Sequence, residues 1–137
     1  MINISDTFYG SNNNLYQPAS CNLGKDEIES RNRKGIVGLI ITLAIALFLH
    51  LFHYLNESKL FIFFPLFYSI LCLYQARKKF CVYFGMRGIF NFDKIGKSTA
   101  VGKEEFIKLD RKLAIQMTLT CFLLALAITV IYYLLPF

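Results

Sequence analysis

Three long apolar blocks without Asp, Glu, Lys or Arg constrain what this chain can fold into. They contain 21, 17 and 25 residues and cover residues 35–55, 60–76 and 113–137. About 20 helical residues cross the hydrocarbon core of a bilayer. Only helices or closed barrels satisfy the backbone in lipid, and three such blocks cannot close a barrel. The sequence therefore predicts an all-α membrane protein with three transmembrane helices, at about 35–55, 60–76 and 113–136.

The connections between the blocks predict how the helices are joined. Only residues 56–59 separate the first two blocks, so helices 1 and 2 should form an antiparallel hairpin. Pro65 is expected to kink helix 2, since proline cannot donate a backbone hydrogen bond. Residues 80–92 mix aromatic, glycine and basic residues, which is typical of a segment at the membrane interface. Residues 103–112 place apolar residues at helical spacing and predict an amphipathic lead into helix 3.

The first 30 residues differ in composition from the rest of the chain. They are polar, rich in asparagine and without helical periodicity, which predicts that residues 1–30 form a disordered cytoplasmic tail. Residues 31–137 would then form a single transmembrane helical domain. The tail contains no apolar run of the kind a signal peptide needs, so helix 1 is expected to direct insertion. The alternative is a short docking arm whose contact residues would be Phe8, Tyr9, Leu15 and Tyr16.

The net charge of +6 is distributed unevenly along the chain. Four basic residues precede the first block, ten lie between Arg77 and Lys112, and one, Lys59, lies in the hairpin turn. The positive-inside rule predicts a cytoplasmic N-terminus and basic loop, with Phe137 outside. Basic flanks of this kind explain the charge without nucleic-acid binding. The bases expected to contact anionic lipid headgroups are Arg77, Lys78, Lys79 and Arg87.

Cys81 is the first candidate for chemistry. The chain has four cysteines and no CxxC pair, which argues against a disulfide framework or a zinc site. Cys81 follows Arg77, Lys78 and Lys79, and neighbouring cations favour the thiolate. This pattern is consistent with a reactive thiol that handles sulfur or senses redox state. The alternatives are a palmitoylated cysteine or an inert one among aromatic residues.

His50 and His53 are the second candidate, for haem binding. They are three residues apart and share one face of helix 1. The alternative is that both imidazoles bond to headgroups or water at the outer interface. A metal site would need further ligands, so none is predicted. No charged residue lies inside an apolar block, which argues against active transport.

The order of features from residue 31 to residue 92 points to a family. Basic residues Arg31 and Arg33 precede Gly38, a short hairpin follows, and a run from Gln75 to Gly85 contains Cys81. In these features residues 31–92 resemble the two-helix transmembrane domain of YgaP-like bacterial inner-membrane proteins. The resemblance implies a bacterial inner-membrane setting. Some members carry sulfurtransferase domains, so it also implies a role for Cys81 in handling persulfide sulfur. This chain differs in having a third helix and bases before the cysteine.

The function expected from the sequence is structural. Three helices bury little surface against one another, so lipid, a protein partner or further copies of the chain must cover the rest. We therefore expect a non-enzymatic scaffold or accessory subunit that needs no cofactor. The alternatives are a membrane-anchored reactive thiol that uses Cys81 and a haem-binding subunit that uses His50 or His53.

Overall fold

The computed structural model describes residues 17–52, 56–92 and 95–136. It consists of α1 (Lys25–Leu51), a 3-10 helix (Asn56–Ile62), α2 (Phe63–Lys78), α3 (Val82–Arg87), β1 (Ile89–Phe90), β2 (Thr99–Ala100) and α4 (Glu104–Leu134). Three stretches are long and apolar enough to cross a membrane, namely α1, the 3-10 helix together with α2, and α4. The predicted three-helix membrane fold is confirmed, and α1 and α2 pack closely as the hairpin requires.

Helix α1 begins ten residues before the predicted span, at Lys25 rather than at residue 35. Its first turn carries Asp26 and Glu27, and acidic side chains stabilise the positive end of a helix dipole. The apolar pattern reports only the part of the helix that crosses the bilayer, so it misses this charged extension. Residues 17–30 therefore differ from the predicted disordered tail, whereas residues 1–16 lie outside the described part of the chain.

The predicted polar turn at 56–59 is part of a 3-10 helix that continues directly into α2. The added residues extend the second span to Glu57–Lys78, which explains how a 17-residue apolar block can suffice. Pro65 is the third residue of α2, where a backbone N–H has no partner within the α-helix. Pro65 therefore lies beside the junction of two helix types and not one and a half turns inside a single α-helix.

Small residues determine where α1 meets α2. Gly35, Gly38 and Thr42 are the buried residues of the transmembrane part of α1, and they lie on one face. A Cβ added at Gly38 would overlap Ser69 Oγ, and one at Gly35 would overlap the Leu73 side chain. Such close approach of backbones is how transmembrane helices gain packing energy in lipid, where the hydrophobic effect between helices is missing.

Helix α4 packs against α2 along a second line of residues. Its buried side chains within the apolar block recur every three or four positions, at Ala114, Met117, Cys121, Ala125 and Thr129. The amphipathic lead predicted at 103–112 is confirmed as the first turns of the same helix. Its buried members are Phe106 and Asp110.

The chain closes one end of the helices with a small cap, which we define as residues 17–24, 79–92 and 95–103. We call this the basic end, and the end near the 3-10 helix the far end. Strands β1 and β2 pair antiparallel in the cap, and Leu23 forms a parallel bridge with Asn91. Phe80, Phe84 and Phe90 are buried inside it, whereas Tyr83 is exposed. Of the aromatic residues in the predicted interfacial segment, Phe80, Phe84 and Phe90 therefore pack against protein instead of headgroups, whereas Tyr83 is free to reach the interface.

Candidate functional site

The most polar part of the described interior lies at the basic end, where the cap meets α1 and α2. We call it the polar cluster. Its members are Asn22, Glu27, Arg31, Gln75, Cys81 and Asn91, and all but the half-buried Arg31 are buried. Two parts of the cap, residues 17–24 and 79–92, contribute to it together with α1 and α2, so the cluster exists only when all four segments are in place.

The Asn22 side chain forms hydrogen bonds with both polar groups of the Cys81 backbone. The Cys81 N–H donates to Asn22 Oδ1 at 2.7 Å, and Asn22 Nδ2 donates to the Cys81 carbonyl at 3.3 Å. The backbone N–H groups of Asn22 and Leu23 both donate to the carbonyl of Lys79. Lys79 has a left-handed conformation at the C-terminus of α2, which turns its carbonyl away from the helix and makes it available. Residues 22 and 23 are therefore held against residues 79–81 by backbone as well as side-chain hydrogen bonds.

Arg31 links α1 to α2 and to the cap. Its Nη1 donates to Gln75 Oε1 at 2.7 Å, and its Nη2 lies 2.9 Å from Cys81 Sγ. Nε of Arg31 is buried and has no hydrogen-bond partner among the described residues. A buried donor without a partner costs free energy, so this Nε slightly destabilises the centre of the cluster.

Cys81 is fully buried, which changes what its thiol can do. Burial raises the pKa of the Cys81 thiol, and Glu27 acts in the same direction. Arg31 and the backbone N–H groups of Tyr83 and Phe84 oppose the rise in pKa without overcoming it. The prediction that Arg77, Lys78 and Lys79 activate the Cys81 thiol is therefore wrong about which cation is in contact. The cation on the sulfur is Arg31, whereas Arg77, Lys78 and Lys79 are exposed.

The acidic side of the cluster is Glu27, whose carboxylate accepts a bond from Asn91 Nδ2 at 3.3 Å. The Asn91 backbone N–H donates to the Asn22 carbonyl, and the Asn91 carbonyl accepts from Gly24 at 2.6 Å. Asn91 thus forms hydrogen bonds through its side chain and through both polar groups of its backbone. Its role in the structure is to join residues 22–24 to β1.

Asp110 is a second buried acid, and sequence reasoning missed it. The apolar spacing places Asp110 among the solvated charges of the amphipathic lead, but its side chain is fully buried. Its Oδ1 accepts the backbone N–H of Ala19 at 2.7 Å, which ties the N-terminal segment to α4. The two residues are 91 positions apart, and no local pattern in the sequence signals such a contact.

The far end contains an equally unexpected residue, the buried Lys59. Its Nζ donates to the carbonyl of Leu135 at 3.2 Å, just past the end of α4, and lies 6.0 Å from the centre of the Tyr132 ring. A cation at a helix C-terminus interacts favourably with the helix dipole. Tyr132 in turn donates to the Ala46 carbonyl at 2.8 Å, which joins α4 to α1.

The histidine and headgroup candidates lie apart from the polar cluster. His50 is exposed in the last turn of α1, and His53 lies outside the described residues. Within residues 17–52, 56–92 and 95–136, no group of three His, Cys, Asp or Glu side chains could hold a metal. Arg77, Lys78, Lys79 and Arg87 are exposed at the basic end. Arg87 lies over the exposed Tyr83 ring at 5.2 Å, as expected for side chains at a membrane interface.

Two open grooves flank the basic end of α1. One, of about 500 Å³, lies beside the polar cluster and is lined by residues that include Cys21, Leu23, Ile28 and Phe92. The other, of about 560 Å³, lies between α1 and α2. Burial raises the pKa of the Cys21 thiol too, although Cys21 is only half-buried and lines the first groove.

No protein-family model, curated protein or solved structure matches the chain significantly.

Proposed function

We propose that the chain is a non-enzymatic scaffold or accessory subunit of a membrane assembly, and that the outward face of α1 is its interaction surface. The observation that carries the proposal is how little of α1 the chain itself covers. Only 17% of its most apolar 18 residues are buried, against 28% for α4 and 39% for the second span. Exposed side chains recur on α1 at Ile36, Ile40, Leu43 and Leu47, a spacing typical of helix pairing.

The internal use of the polar groups supports the same proposal. Asn22, Arg31, Gln75 and Cys81 bond to one another or to backbone. A catalytic site usually presents its titratable groups to a concave pocket that substrate can enter. The polar cluster instead fixes the cap onto the hairpin of α1 and α2.

A photoreactive residue at Ile40 or Leu47 tests the proposal in intact membranes. Both side chains are well exposed, so replacement should not disturb packing within the chain. Matched control positions are Leu119 and Leu123, which are similarly exposed on α4. We expect a discrete cross-linked band from the α1 positions, at twice the chain mass for self-association or at another fixed mass for a partner. Lipid adducts alone at Ile40 and Leu47 would contradict the proposal.

The membrane setting that we propose follows from the charges. Fourteen of the 15 basic residues precede the first apolar block or lie between the second and third blocks, which supports a cytoplasmic basic end and an outer far end. Exposed Arg77, Lys78, Lys79 and Arg87 would then face anionic headgroups of the inner leaflet. The resemblance of residues 31–92 to YgaP-like proteins supports a bacterial inner membrane. Reporter fusions after Asn56 and Phe137 should both read as outside, and a cytoplasmic signal at either would refute this orientation.

A second candidate function is favoured by one contact, the Arg31 guanidinium 2.9 Å from Cys81 Sγ. If the cap opens, the Cys81 thiolate could attack a sulfane sulfur of a polysulfide. A new S–S bond would form on Cys81, the attacked S–S bond would break, and the shorter polysulfide would leave as an anion. Intact mass after polysulfide exposure tests this role. A gain of 32 Da on the wild type that is lost in Cys81→Ala would favour it over the scaffold role, and no gain would end it.

A further inference from the structure

The groove between α1 and α2 has the size of a ligand site. Its volume of about 560 Å³ lies within the range typical of pockets for small molecules. Its walls come from one side of α1 and from the start of α2. The lining residues are Ser30, Arg33, Lys34, Val37, Ile41 and Tyr68, together with Gly38 and Pro65.

The groove runs along α1 instead of across it. The lining residues of α1 recur every three or four positions, so they form one stripe on the helix surface. From Ser30 to Ile41 the helix rises roughly 16 Å, of which the apolar part from Val37 to Ile41 is roughly 6 Å. The groove therefore extends from the bases at headgroup level into the first part of one bilayer leaflet. Gly38 lies beside it, where α1 packs directly against Ser69 of α2.

Polar and apolar groups are separated along the groove. Arg33 and Lys34 are exposed at the basic end, next to the Ser30 hydroxyl. Val37, Ile41 and Pro65 supply apolar walls farther along. No acidic residue is among those that line it. A ligand that matches this order has an anionic head and a hydrocarbon tail.

We infer that the groove binds one glycerophospholipid with an anionic headgroup. The headgroup phosphate contacts Arg33 and Lys34, and one acyl chain lies against Val37, Ile41 and Pro65. Arg and phosphate oxygens form strong charge-assisted hydrogen bonds. The site depends only on the membrane setting of the chain, and it is separate from the exposed bases Arg77, Lys78, Lys79 and Arg87. Failure of the scaffold proposal would leave it standing.

Native mass spectrometry of the full chain in mild detergent tests the headgroup contact. Phosphatidylglycerol and phosphatidylcholine are added separately to the wild type and to the double variant Arg33→Gln/Lys34→Gln. The matched control is Lys97→Gln/Lys112→Gln, which removes two exposed bases from the same end of the molecule but outside the groove. We expect the groove variant to bind phosphatidylglycerol about 30-fold more weakly and the control to bind it as the wild type does. Equal binding of the two lipids by the wild type would overturn the proposal.

A second variant tests the acyl site without touching the charges. Val37→Trp fills the groove, and Val37 is already exposed, so the helix packing should be kept. We expect Val37→Trp to lose the bound phosphatidylglycerol while its helical content by circular dichroism stays unchanged. Inorganic phosphate in place of lipid should not compete at millimolar concentration, because it cannot use the apolar wall. Retention of lipid by Val37→Trp, or full competition by phosphate, would refute the acyl-chain contact.

Discussion

Replacement of Asn22 by alanine tests how the cap is held on the helices. Asn22 is fully buried and makes two bonds to the Cys81 backbone. In Asn22→Ala the Cys81 carbonyl keeps its bond from the Gly85 N–H, but the Cys81 N–H loses its acceptor. A buried donor left without a partner costs about 1–3 kcal/mol, and the second lost bond adds about 1 kcal/mol. The cap should therefore become less stable by about 2–4 kcal/mol.

Hydrogen exchange of the Leu23 amide measures this loss directly, since that N–H donates to the Lys79 carbonyl. A loss of 2–4 kcal/mol corresponds to exchange that is faster by about 30-fold to about 1,000-fold. The matched control is Asn32→Ala, because Asn32 is exposed on α1. Asn32→Ala should leave the exchange rate of Leu23 close to that of the wild type. If the two variants exchange equally, Asn22 does not hold the cap and the account of the polar cluster is wrong.

Three further predictions concern helix packing, the far end and pH. Gly38→Leu should lower the thermal unfolding midpoint in detergent far more than Ala44→Leu, which changes an exposed site on the same helix; equal midpoints would contradict close packing. Lys59→Met should destabilise the chain by about 1 kcal/mol, because the Leu135 carbonyl loses its donor, and an unchanged midpoint would refute that role. Stability should fall as pH rises above about 9.0, where the unfolded thiol ionises before the folded Cys81 thiol with its raised pKa. The unfolding midpoint of Cys81→Ala should change less between pH 8 and pH 10, and an identical pH profile would count against burial of the thiol.

The sequence predicts the three spans because hydrocarbon thickness imposes a length on every helix that crosses it. The sequence predicts less accurately how far each helix extends beyond the membrane. Lys25 begins α1 among charged residues, and hydropathy cannot distinguish a solvated helix from a solvated loop. The 3-10 helix before α2 was missed for a related reason, since a short polar stretch between apolar blocks resembles a turn.

The polar cluster was beyond prediction for a different physical reason. Asn22 and Cys81 are 59 residues apart, and Arg31 and Gln75 are 44 apart. Hydrogen bonds of this kind follow from the packing of α1 against α2, which small residues at Gly35 and Gly38 allow. The basic neighbours of Cys81 in the sequence mark it as a candidate, but the guanidinium that contacts its thiol comes from Arg31 on α1. Proximity in the sequence indicates a cation near the thiol, but it points to Arg77, Lys78 and Lys79 instead of Arg31.

Maleimide labelling of the native protein tests most directly whether the polar cluster is structural. Cys21 is half-buried and lines a groove, whereas Cys81 is fully buried and in contact with Arg31. At neutral pH we expect peptide mass analysis to find Cys21 labelled first and Cys81 labelled only after denaturation. Asn22→Ala should hasten the labelling of Cys81, since it loosens the cap. Labelling of Cys81 in the folded wild type as fast as a free peptide thiol would contradict the structural role and favour a reactive one.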